Sequence, residues 1–150
     1  MRGGQSQQDA NELNRPLVHP KNIIELGTRN VRTLYRSSNI AQGTREMTSR
    51  NIDIMGISET HWTGQGKMQQ TEGETIIYSG RDDDNHKEGV GILISRSASR
   101  TLMDWTPISE RIIQARFYSQ HSKLTIVHTS LTEEADEQVK EDSTWYCMMY

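Results

Sequence analysis

Glu59 and Asn30 are the two side chains of this sequence best placed to do chemistry, and what they offer is oxygen ligation of a hard cation. Glu59 closes the run Asn51-Ile52-Asp53-Ile54-Met55-Gly56-Ile57-Ser58-Glu59, whose isoleucines mark a buried strand. In open α/β sheets, ligands gather beyond the carboxyl ends of the strands, so a glutamate at that end stands where a metal or a substrate would sit. Mg²⁺ takes one or two protein carboxylates and keeps much of its water, which makes a single strand-end glutamate enough to begin a site. Asn30 ends another apolar stretch and could bind a phosphate oxygen or the same ion. On spacing alone a surface glutamate is the plainer reading of Glu59, and a turn residue that of Asn30. The pair carries more than either residue singly.

The remaining polar groups offer less. His61 and Trp62 follow Glu59, and packing is the plainer role for the indole. Asp82, Asp83, Asp84 and His86 form an acidic cluster without the closing glutamate of a calcium loop, which favours a solvated turn. The serines and Cys147 lack a nucleophile-elbow context, and no glycine-rich phosphate loop precedes a helix. Acyl transfer and nucleoside triphosphate hydrolysis are thereby set aside.

The elements that must position Asn30 and Glu59 follow from hydrophobic period. Ile23, Ile24 and Leu26 lead into a strand through Gly27 to Val31. Ile40 to Arg50 is helical, with Asn39 as N-cap, Ile40, Thr44 and Met47 on one face, and Gly43 as a weak point. Ile52 to Glu59 is the second strand, so strand, helix and strand suggest a crossover. Past a Gly64-Gln65-Gly66 loop come strands over 74–79 and 89–95, separated by a polar turn. Residues 111–118 and 124–128 form a hairpin.

Residues 1–20 are rich in Gln, Asn and Gly, have no period, and read as a disordered leader. The domain occupies 21–132. Residues 133–150 form an acidic, divergent tail that ends in Trp145-Tyr146-Cys147-Met148-Met149-Tyr150, an ending that reads as a truncation or a shifted frame unless it is docked.

A length of 150 residues suits one domain, and the net charge of -3 supplies no global attraction for nucleic acid. The front is nevertheless basic, with Arg29, Arg32, Arg36, Arg45 and Arg50 against Glu46. A single cysteine excludes an intrachain disulfide and fits a reducing compartment. No apolar run approaches the roughly 20 residues that span a bilayer. The expected location is intracellular, nuclear or cytoplasmic.

Four ordered blocks, Gly27-Thr28-Arg29-Asn30-Val31-Arg32-Thr33-Leu34, 51–62, Gly73-Glu74-Thr75-Ile76-Ile77-Tyr78-Ser79-Gly80 and Glu88-Gly89-Val90-Gly91-Ile92-Leu93, together resemble the endonuclease domain of non-LTR retrotransposons, including the craniofacial development protein 2-like proteins. The likeness runs from about Lys21 to Lys140 and leads to the endonuclease/exonuclease/phosphatase superfamily. It implies a DNase I-like four-layer αββα sandwich, here α/β and truncated after its first half. It also implies Mg²⁺-dependent cleavage of DNA phosphodiesters, with Asn30 as the active-site asparagine and Glu59 as the metal-binding glutamate. Arg111 lies where the family often has an arginine and is expected to support the sheet.

The departures bear on activity. Thr129-Ser130-Leu131-Thr132 stands where the resemblance expects Tyr-Ala-Pro-Thr, so Thr129 or Ser130 replaces the active-site tyrosine, and Arg29 replaces the usual tryptophan. The later aspartate-x-asparagine and aspartate-histidine pairs, which in the family position and activate the attacking water, have no counterpart here. The expectation is an inactive chain that keeps a metal corner and, with an apolar sheet face left exposed, is marginally stable or self-associating. The alternative is a non-catalytic nucleic-acid-binding or interaction remnant of a longer endonuclease and reverse transcriptase polyprotein.

Overall fold

A computed structural model of the chain describes residues 24–31, 37–119, 122–130 and 144–149. The elements run β1 (Leu26–Asn30), α1 (Ser37–Ser49), β2 (Ile54–Ser58), β3 (Gln65–Gln69), β4 (Thr75–Ser79), β5 (Val90–Ile94), α2 (Arg96–Ser99), β6 (Leu102–Ser109), β7 (Ile112–Tyr118), β8 (Lys123–Thr129) and β9 (Thr144–Met149). They build a mixed α/β structure with two sheets, ordered β1-β2-β5-β4-β3 and β6-β7-β8-β9. This is consistent with a partial α/β sandwich.

The crossover expected from sequence is present: β1 pairs parallel to β2, and α1 is the connection between them. The other pairings between the described strands are antiparallel. Strand alternation sorts the apolar residues of the first sheet between two cores. Ile54, Ile77, Val90, Ile92 and Ile94 face the second sheet and meet Ile113, Ala115, Phe117, Leu124 and Ile126. Met55, Ile57, Ile76 and Leu93 face the other way, onto Ile40 and Met47 of α1. β2 is buried on both faces, which is why it reads as a continuous apolar run.

Three expectations require correction. The second sheet lies against the first, so among the described residues the inner apolar face of the first sheet is covered rather than left exposed. The helix begins at Ser37, which puts Asn39 inside its first turn rather than at the cap. Residues 65–69 are an edge strand rather than a loop, exposed along most of their length and paired to β4.

β6 lies in a stretch with no element expected from sequence, and it contains Pro107. Pro is tolerated on an edge, and β6 is an edge with register shifts between Leu102 and Asp104 and between Pro107 and Ser109. β9 lies within the segment read as a tail and pairs with β8. The proposed leader, residues 1–20, lies outside the described residues.

Candidate functional site

Parallel register places Asn30 opposite Ser58, the residue before Glu59, and the Val31 N–H donates to the Ser58 carbonyl at 3.2 Å. β1 and β2 therefore end together, and the two sequence-predicted site residues share one end of the first sheet. Asn30 is exposed and Glu59 half-buried. Glu59 makes no ion pair among the described residues.

The chain leaves β2 under backbone constraint. Glu59, His61 and Glu88 have φ of 56°, 57° and 57°, the left-handed region that costs ordinary residues about 1 kcal/mol or more. Two backbone bonds hold the constrained segments together, Thr60 N–H to the Gly89 carbonyl at 3.2 Å and His61 N–H to the Glu88 carbonyl at 2.7 Å. Such close approach requires glycine: a Cβ on Gly89 would come 2.2 Å from Thr60 Oγ1, and one on Gly80 would come 1.8 Å from the Trp62 carbonyl oxygen. Trp62 packs edge-on against Tyr78 at 4.7 Å, the packing role expected of it.

The second sheet closes the same end. The Ser130 N–H donates to the Arg111 carbonyl at 2.9 Å, and the Gly89 N–H to the Glu110 carbonyl at 3.2 Å. Arg111 reaches Glu88 at 3.1 Å, which fits the supporting role expected of it. Ser58 Oγ lies 3.5 Å from Nε2 of His128, so the carboxyl end of β8 meets the carboxyl end of β2. Thr129 and Ser130 are thereby at the Glu59 end of the sandwich.

His128 was not singled out from sequence, although Leu124, Ile126 and His128 have the period of an inner face. It is fully buried. Burial pushes its imidazole down to about 4, against the opposing effect of a hydrogen bond with the Ile57 backbone, so the ring is neutral at pH 7.

The arginines near this end are engaged. Arg81 pairs with Asp83 at 2.7 Å and Glu88 at 3.7 Å, and Arg29 pairs with Glu46. The Arg81 guanidinium and the Asn85 N–H hold Asp83 down to about 2. The Asp82–Asp84 segment is exposed and satisfied internally, the solvated turn expected of it.

A carboxylate and an amide carbonyl at a solvent-facing strand end fit a hard divalent cation. Among the described residues, no three His, Cys, Asp or Glu side chains are grouped to hold a metal. An ion bound by Asn30 and Glu59 would keep most of its shell as water, as Mg²⁺ commonly does.

No protein-family model matches the chain. Among curated proteins it is 29% identical over 124 residues to craniofacial development protein 2 of Tragulus javanicus, a match that covers 83% of this chain and 21% of that protein. The Bos taurus protein of the same name is likewise 29% identical over 124 residues, with 20% of its length covered. The chain spans about a fifth of the length of these curated relatives. Over most of its own length it is therefore similar to one portion of craniofacial development protein 2.

Proposed function

We propose that residues 21–132 carry the metal corner of an endonuclease-type phosphodiester site, with Asn30 and Glu59 holding Mg²⁺ against a DNA phosphate. One observation supports this above the others: the in-register pairing that sets Asn30 beside the exit of β2 toward Glu59. The likeness to craniofacial development protein 2 supports the craniofacial development protein 2-like part of the resemblance on which this reading rests. Mg²⁺ bound there would act as a Lewis acid on a phosphate oxygen. Glu59 would supply the anionic ligand and Asn30 an oriented carbonyl.

Turnover by this chain is negligible in the same reading. His128 is neutral but points into the core, and Thr129 and Ser130 offer hydroxyls where the family has a phenol. Loss of a general base alone costs roughly 10²–10⁴-fold. The rival reading, binding of nucleic acid through basic side chains, is weakened because Arg29, Arg81 and Arg111 all have carboxylate partners. Arg32 and Arg36 lie outside the described residues.

The test is Mg²⁺ titration followed by amide chemical shifts, together with a plasmid-nicking assay. Saturable shifts around Asn30 and Glu59 that vanish in Glu59→Gln, with no nicking, are expected. Absence of those shifts sinks the metal corner, and metal-dependent nicking lost in Glu59→Ala overturns the claim of inactivity.

A further inference from the structure

At the opposite end of β2 lies a cavity of about 420 Å³ beneath the last turn of α1. Its walls include Met47, Ile52, Asp53, Glu72, Glu74 and Arg96. We propose that this cavity binds a primary alkylammonium group, with the Glu74 carboxylate as its principal partner.

Glu74 is 8% exposed, and its Oε2 is buried with no hydrogen-bond partner among the described residues. Strand alternation sets Glu74 on the same face as Ile76, the face that α1 covers, so its side chain is directed at the cavity. A buried carboxylate oxygen without a donor is costly, and an ammonium supplies charge-assisted donors.

The surroundings favour a cation. Asp53 stands at the wall with Oδ2 accepting from the Glu25 N–H at 3.0 Å, and burial raises its pKa, so a neighbouring positive charge would stabilise its ionised form. Glu72 is at the exposed rim. The carboxyl end of α1, with its partial negative charge and no basic residue in its last turn, points to the same place. Arg96 is the opposing cation, and its stem lies against Gly73, where a Cβ would come 2.8 Å from Arg96 Cγ.

The ligand is an organic cation rather than a metal ion. Among the described residues, no three acidic or other metal-binding side chains converge on one point. Spread carboxylates beside Met47 and Ile52 suit an ammonium head on a methylene chain. That head could belong to a free polyamine or to a lysine side chain, which share the chemistry.

The experiment uses the full chain, with spermidine, Nα-acetyl-lysine amide and Mg²⁺ as separate probes followed by amide chemical shifts. Saturable shifts at Met47, Glu74 and Arg96 are expected with spermidine or with the lysine derivative. Whichever binds identifies the source. Glu74→Gln is expected to weaken binding roughly tenfold or more, the effect of a lost charge-assisted hydrogen bond. Arg96→Ala, which leaves every carboxylate in place and removes the competing cation, is expected to tighten it. No response to either amine, or the same shifts with Mg²⁺ alone, overturns the proposal. The Asn30 and Glu59 signals stay unchanged with amines, so this outcome is separable from that of the metal corner.

Discussion

Asp53 and Glu59 bracket the same strand, yet the two ends of β2 treat a carboxylate differently. At Glu59 the backbone is left-handed, the surroundings are polar, and nearby carboxylates such as Glu88 and Asp83 already hold arginines. At Asp53 the carboxylate is desolvated at the wall of the cavity it shares with Glu74, whose buried Oε2 has no donor among the described residues. Flanking a buried strand is therefore insufficient to define a site. One end turns a carboxylate toward solvent on a strained backbone, whereas the other withdraws negative charge under a helix.

The largest effect should come from breaking the Glu59 end while sparing the other. Gly80→Ala drives a methyl group into the Trp62 carbonyl and is expected to cost about 3 kcal/mol or more in urea denaturation. An unchanged midpoint would show that the 62–80 contact is not part of the folded state.

Acid provides the next handle on the Glu59 end. His128 has a folded pKa near 4 against an ordinary 6.5, so the unfolded chain binds the proton more readily between those values. Its contribution is present above pH 6.5 and is lost as pH falls towards 4, by roughly 3 kcal/mol in all. Subtracting the stability profile of His128→Leu from that of the wild type should isolate this slope, and superimposable profiles would remove it.

A crossed pair of substitutions sharpens the contrast most directly. Glu59→Gln should weaken Mg²⁺ binding about tenfold and leave spermidine untouched, and Glu74→Gln should do the reverse. If either substitution affects both ligands, the two ends are coupled.

The smallest effect is expected at α1. A Cβ on Gly43 would sit 3.5 Å from Leu93 Cδ2, an ordinary contact, so Gly43→Ala should stabilise the chain by about 0.5–1 kcal/mol. A lower thermal midpoint would mean that the helix packs more tightly on β5 than this distance implies.

β2, β4, β5, β7 and β8 could be recognised from the sequence because each is buried continuously or, in β7, on alternate residues, and burial writes an apolar pattern into the chain. β3 and β6 could not. They are edges, held by backbone hydrogen bonds to one neighbour and under little demand for apolar side chains. β9 fell within a segment whose acidic start obscured it. At the candidate site, Asn30 and Glu59 were visible as strand ends, but the link from Ser58 to His128 joins residues 70 positions apart and had no local signature.

From the chain alone came the crossover, the buried strand, and the placement of Asn30 and Glu59 at strand ends, since local period and short-range connectivity decide these. Only the folded arrangement closed the second sheet over the first. It also neutralised Arg29 with Glu46, buried His128 against Ser58, and left Glu74 Oε2 without a donor among the described residues beneath α1. Each of these depends on which distant residue arrives across the core, and desolvation and charge pairing are set by that arrival rather than by sequence neighbours.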